Sequence, residues 1–154
     1  MDKLDIKLLE LLQKNARTTI SELSKELALS RPSVSERLQR LQESGVIEEY
    51  SARISLAGVG RDMLLIILVS GLRVPLKDFE DMVKSEEMII ECHRVTGEVS
   101  YMLKAAVPNM NSMRILIDKL IPYGNINTST VIGSPVPYRY ILPVEKDEEQ
   151  SDGT

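Results

Sequence analysis

Apolar residues recur at helical spacing through the first third of this chain and give way to short strand-length runs after it. In Asp2–Lys14, Leu4, Leu8, Leu11 and Leu12 form a stripe that Ile6 and Leu9 widen, which predicts a first helix. Asp2 and Asp5 sit near its N-terminus, where the helix dipole favours anions. Asn15-Ala16-Arg17 ends it. A second helix opens at Thr19, with Glu22 three residues on in the spacing of a capping box. Ile20, Leu23 and Leu27 give its apolar face. Ala28-Leu29-Ser30 is a tight turn. Ser30 can cap a third helix, and Pro32 is tolerated in a first turn whose N–H groups lack helical partners. Val34, Leu38 and Leu41 form a narrow stripe on that third helix, which stops at Glu43-Ser44-Gly45.

That third helix has a thin buried seam and a long polar side. At roughly 100° per residue, the side opposite the stripe carries Pro32, Ser33, Glu36, Gln39, Arg40 and Glu43, with Ser35 and Arg37 flanking it. Ser, Gln and Arg hydrogen-bond base edges and phosphates. A helix standing out of a small helical domain fits a B-DNA major groove, about 12 Å wide. The plain alternative is a solvated face, since paired amphipathic helices occur in many proteins that never meet DNA. The short capped turn, the three arginines at 31, 37 and 40, and the first helix preceding the pair favour a helix-turn-helix. The residues expected to touch DNA are Arg31, Ser33, Ser35, Glu36, Arg37, Gln39 and Arg40. Two copies would enter successive major grooves about 34–36 Å apart.

The second half has a different rhythm. Residues 46–54 read as extended, either a small wing or a connecting strand, and 55–62, with Gly58 and Gly60, as a linker. Then come a strand (63–72), a helix opened by Pro75, a strand (88–95), a turn at Gly97-Glu98 and a strand (99–107). A helix marked by Met113, Leu116, Ile117 and Leu120 and a strand (126–132) complete the series. The order β-α-β-β-α-β is the ferredoxin-like split. The expected fold class is α+β, with an N-terminal helix-turn-helix, winged-helix-like domain (1–54) and a ferredoxin-like domain (63–144). An acidic, disordered tail (145–154) would follow. Such a sheet carries helices on one face. A second copy of the chain is the simplest cover for the other, because exposed Ile and Leu side chains would each forgo ~1.5–3 kcal/mol of burial.

Composition narrows the partners. The net charge of −4 is unusual for a DNA binder. Residues 1–60 hold nine basic and nine acidic side chains, residues 61–144 nine of each, and the last ten residues one Lys and five acids. The body is therefore neutral and the tail carries the excess. Neutrality predicts modest non-specific DNA affinity, which a dimer would raise by avidity. One cysteine excludes a disulfide framework and suits a reducing compartment. The longest apolar run, 63–69, is far short of the ~18–20 residues that span a bilayer. The charged N-terminus lacks a signal-peptide apolar region. A cytoplasmic, nucleoid-associated protein is expected, with no membrane partner. No enzyme is expected, with no catalytic or metal-ligating residues. Cys92 and His93 are neighbours on a strand and point to opposite faces, and one of each is too few for a zinc set. No P-loop or dinucleotide fingerprint is present.

With both halves placed, the chain to about residue 142 resembles the leucine-responsive regulatory protein/AsnC (Lrp/AsnC) family of bacterial and archaeal transcription regulators. Leu4-Asp5 with Ile6, Leu9 and Leu12 looks like the family's opening helix, and Arg17, Ile20, Leu23 and Leu27-Ala28-Leu29-Ser30 like its second helix and turn. Val34, Arg37, Leu38, Leu41, Gly45-Val46-Ile47 and Tyr50 look like its recognition helix and exit strand. Val95-Thr96-Gly97-Glu98 followed by Tyr101 looks like the turn of its effector-sensing domain. The resemblance implies sequence-specific binding to double-stranded DNA. It also implies a homodimer that builds into a tetramer or octamer, and a free amino acid as the effector in place of any fixed cofactor. On this reading Gly97, Glu98, Ser100 and Tyr101 form the effector site. One departure is Ser100, where the family commonly has an acid. It leaves room for an effector-independent architectural protein that bends or wraps DNA. Another class also stays open: a small-molecule sensor or enzyme subunit that does not bind DNA.

Overall fold

Each of the first three helices is started by a side chain of its own sequence. In the computed structural model, which describes residues 1–144, α1 (Lys3–Lys14) opens on Asp2, whose carboxylate accepts from the Asp5 N–H at 2.8 Å. The Asp5 carboxylate accepts from the Asp2 N–H in return, closing a capping box. α2 (Ile20–Leu27) repeats the device with Thr19 and Glu22, and Ser30 caps α3 (Arg31–Glu43). The turn between α2 and α3 puts Ala28 in the left-handed region at φ 52°. Ser24 secures that turn: its backbone carbonyl accepts from the Leu29 N–H and its hydroxyl donates to the Leu29 carbonyl. Gly45, at φ 72°, ends the run after α3.

Leu8, Leu9, Leu12, Leu23, Leu27, Val34 and Leu41 form the core of this helical unit. The buried set of α1 is Asp5, Leu8, Leu9 and Leu12, with Leu4 and Leu11 half-exposed. The apolar face is thus rotated from the one expected, and it contains a carboxylate. The extended strand or wing expected at 46–54 does not form: beyond Ile47 these residues run without regular secondary structure, and Tyr50 and Ile54 are exposed.

A second unit spans residues 54–135. After a single 3-10 turn at Ala57–Val59, β1 (Met63–Ser70), α4 (Leu76–Ser85), β2 (Ile89–Arg94), β3 (Val99–Val107), α5 (Met110–Leu120) and β4 (Asn125–Thr130) follow in the expected order. The strands form one antiparallel sheet in the order β2-β3-β1-β4. β1 is the hinge of the design, since it pairs with β3 on one side (Ile67 opposite Leu103) and β4 on the other (Ile67 opposite Thr128). Its alternation decides the layers. Leu65, Ile67 and Val69 are fully buried with Tyr101, Leu103, Ala105 and Val107, beneath Phe79 and Val83 of α4 and Leu116 and Leu120 of α5. Leu64, Ile66 and Leu68 point the other way and stay half-buried, opposite Ala106, Lys104 and Met102.

Three strands are shorter than expected: β1 ends at Ser70 rather than at 72, and β2 runs Ile89–Arg94 rather than 88–95. β4 ends at Thr130, and Ile132 is wholly exposed. Asn109 caps α5, which begins at Met110. Residues 136–144 group with Met1–Arg53 rather than with the sheet. The Gln13 side-chain amide holds them there. Gln13 Nε2 donates to the Ile141 carbonyl at 2.7 Å, and the Ile141 N–H donates to Gln13 Oε1 at 2.9 Å. The Arg53 guanidinium also lies 4.9 Å from the centre of the Tyr138 ring. The acidic tail lies outside the described residues.

Candidate nucleic-acid interface and ligand turn

α3 presents the polar side read from the sequence. Arg31, Ser35, Glu36, Gln39 and Arg40 are exposed, and Ser33 is half-exposed. Val34 and Leu41 anchor the opposite side, with Leu38 half-buried beside them. Three of the polar side chains already have intramolecular partners at the surface. Arg31 Nη2 donates to the Ser21 hydroxyl at 2.9 Å, the Ser30 and Ser33 hydroxyls lie 2.9 Å apart, and Gln39 Nε2 donates to Glu43 at 2.7 Å. These exposed bonds are of a kind that water or a phosphate replaces at little cost, because a typical net hydrogen bond is worth only ~0.5–1.5 kcal/mol.

Arg37 and Arg40 are placed differently. Arg37 Nη1 donates to Asp2 Oδ2 at 2.7 Å and to Asp5 Oδ1 at 2.6 Å, and its side chain is only 20% exposed. Arg40 Nη2 donates to both oxygens of Asp5, at 3.1 and 3.3 Å, while its side chain stays 55% exposed. Burial would raise the Asp5 carboxyl, but the Asp2 N–H and the Arg37 guanidinium outweigh it and hold it below the usual carboxylate range. The Asp5 N–H and Arg37 do the same for Asp2. Arg37 is therefore a pin between α1 and α3 as well as a face residue. Sequence reasoning missed Asp5 in this role. The available signal was its phase: it shares the 3–4 spacing of Leu8, Leu9 and Leu12, where an acid demands a buried cation.

The turn joining β2 to β3 is exposed from Arg94 to Glu98. Gly97 sits at φ 107°, which side chains rarely adopt, and the Val95 N–H donates to the Ser100 carbonyl at 3.0 Å. Gly97 and Glu98 are open to solvent and Ser100 is half-buried. Tyr101 departs from the expected ligand site. Its ring lies in the sheet core 4.7 Å from that of Phe79, 1% exposed, and its hydroxyl donates to Glu80 at 2.6 Å. Burial and the Glu80 carboxylate push the phenol up to about 12. The physical reason is strand alternation: Tyr101 shares its face with Leu103 and Ala105, beneath the helices.

Among the described residues, no group of three or more His, Cys, Asp and Glu could hold a metal ion. Among the same residues, no helix is long and apolar enough to cross a membrane.

Residues 1–48 match the winged helix-turn-helix DNA-binding family model, and residues 63–141 the Lrp/AsnC ligand binding domain. The chain is 33% identical over 134 residues to an uncharacterized HTH-type transcriptional regulator, YezC, of Bacillus subtilis, covering 87% of this chain and 95% of that one. It is 35% identical over 120 residues to the leucine-responsive regulatory protein of Haemophilus influenzae, covering 76% and 72%. A transcriptional regulator from Neisseria meningitidis, solved as a complex with L-Met, superposes with a TM-score of 0.85 at 30% identity, over 92% of this chain and 96% of its own. A helix-turn-helix joined to a ferredoxin-like sheet defines a two-domain transcription regulator, and the matches cover both halves. The chain belongs to the Lrp/AsnC family of helix-turn-helix transcriptional regulators.

Proposed function

We propose that this regulator binds double-stranded DNA as a twofold homodimer, or a tetramer or octamer built from it, and responds to a free amino acid at the Gly97 turn. The observation that carries the reading is the face of α3, whose exposed Ser35, Glu36, Gln39 and Arg40 stand above a seam of Val34, Leu38 and Leu41. Arg31 and Arg40 supply phosphate or guanine contacts. Ser33, Ser35 and Gln39 supply positional and base contacts, and Glu36 accepts from a cytosine amino group. Arg37 contributes mainly by holding α3. The half-buried row Leu64, Ile66 and Leu68 on the open face of the sheet is where a second copy packs. Gly97, Glu98 and Ser100 are the effector-site residues, and Tyr101 supports them from the core. The protein works in the cytoplasm on the nucleoid.

Gel-shift binding to fragments of the source genome, including the DNA upstream of its own gene, tests this at two salt concentrations with and without an amino-acid pool. A salt-dependent shift at few fragments, altered by the pool, is expected. A shift on nearly every fragment, indifferent to the pool, would replace it with an architectural role. Ser100, a neutral side chain where an acid would help hold an effector's charged groups, is the feature that favours this second reading.

A further inference from the structure

Asp5 is a buried carboxylate, 3% exposed, inside the DNA-binding unit. Removing a carboxylate from water is costly unless cations and N–H groups replace the solvent. Here the replacements are Arg37 Nη1 at 2.6 Å, Arg40 Nη2 at 3.1 and 3.3 Å, and the Asp2 N–H at 3.1 Å. The two arginines divide the work. Arg37 Nη1 is shared between Asp2 and Asp5, and the side chain is mostly buried. Arg40 leans on Asp5 through Nη2 alone and keeps over half of its side chain in solvent.

We infer that Asp5 is a positioning residue for DNA recognition: it grips one end of the Arg40 guanidinium so that the remaining N–H groups are held ready for a phosphate or a guanine. This rests on the reading of α3 as the DNA face. A guanidinium carries five N–H donors in a rigid fork, so one carboxylate does not exhaust it. A free arginine loses side-chain entropy when DNA immobilises it, whereas one already held on Asp5 has lost much of it on folding. Arg37 fixes the carboxylate that does the holding, which is why it needs little exposure of its own.

Charge and position make opposite demands. If only charge mattered, removing a negative group beside the DNA face would tighten binding. Positioning requires that Asp5→Asn weaken it, because the neutral amide no longer holds Arg40. Arg40→Lys is the companion variant. It keeps the charge at an exposed site, but an ammonium has no fork with which to hold Asp5 and a phosphate together.

The experiment is fluorescence anisotropy of the full chain on a labelled duplex carrying the DNA upstream of its own gene, across a salt series. Thermal melts run in parallel. Asp5→Asn and Arg40→Lys are each expected to weaken binding about tenfold, the size of one lost charged hydrogen bond. Asp5→Asn should also lower the salt slope by about one, because Arg40 leaves its phosphate. Arg40→Lys keeps its charge, so its slope should hold while its melt falls a little with the lost bonds to Asp5. A merely structural role would not move the salt slope at constant stability. Asp5→Asn that binds as tightly as wild type, or Arg40→Lys that matches wild type in affinity, overturns the assignment. If Asp5→Asn does not fold, Arg40→Lys decides it. A wild-type chain that binds no duplex overturns the DNA reading first and this role with it.

Discussion

The helical unit and the sheet unit reach stability by different routes. The helices are short, with α2 only eight residues long, and isolated helices under ~12–15 residues are marginal in water. Side-chain caps, an ion cluster at Asp2, Asp5, Arg37 and Arg40, and a far segment held by Gln13 supplement a core of seven buried apolar residues. The sheet unit relies instead on a continuous apolar layer from Leu65 to Leu120, with one buried phenol–carboxylate bond at its edge. The difference suits the two tasks of the proposed function, DNA reading by the helices and self-assembly by the sheet. A unit that reads DNA keeps its polar groups at the surface and aims them through hydrogen bonds. A unit that assembles copies of itself needs rigid apolar faces.

The largest expected break in this comparison comes from the open sheet face. Ile66→Asp should dissociate the oligomer in sedimentation experiments and lower DNA affinity about 100-fold through lost avidity. The helical unit should keep its fold, as read from its own amide NMR signals. A monomer that retained full affinity would separate assembly from recognition.

pH separates the units from opposite ends. Glu10, beside Lys14 and Lys7, is held at about 2, and Asp2, Asp5 and Glu22 are also lowered; in the sheet unit Glu91, beside Lys104, is lowered. A lowered folded value contributes stability above the unfolded pKa, near 4. That contribution is lost as pH falls through the folded value. Tyr101 runs the other way. Its contribution is complete below the unfolded pKa near 10 and is lost as pH rises through about 12. Hydrogen exchange should show helical amides losing protection first in acid, and the amides of β3 and α4 losing it first in base. Equal loss in both units at both ends would mean they unfold as one.

Gln13→Ala tests the segment that begins at Val136. It removes both bonds to Ile141 and should cost about 1 kcal/mol, the net worth of an exposed hydrogen-bond pair. It should also free residues 136–144 to rapid exchange while the sheet is untouched. The smallest effect is expected at Ala28→Gly. Relief of a left-handed alanine, ~1 kcal/mol, is offset by the greater freedom of glycine in the unfolded chain, ~0.4–1 kcal/mol. The melting temperature of the helical unit should therefore move little, and upward if at all.

What the sequence determined by itself was what a few neighbouring residues decide. Thr19 with Glu22, Ser30 before Pro32, and Gly45 start and stop helices through bonds within four residues. A continuous apolar run at 63–69 and alternation in 99–107, with helical spacing between the strands, set the β-α-β-β-α-β order. The polar face of α3 followed from helical spacing alone. Tertiary structure decided the rest, because the partners are far apart in the chain. Asp5 meets Arg37 across 32 positions and Ile141 meets Gln13 across 128. The wing expected at 46–54 did not form, since a strand needs a partner edge that no local pattern supplies. Tyr101 left the ligand turn for the core because β3 alternates and its even-numbered neighbours took the open face. Local bonds are written in local sequence, whereas burial of a charge or a phenol is settled only when distant segments close around it.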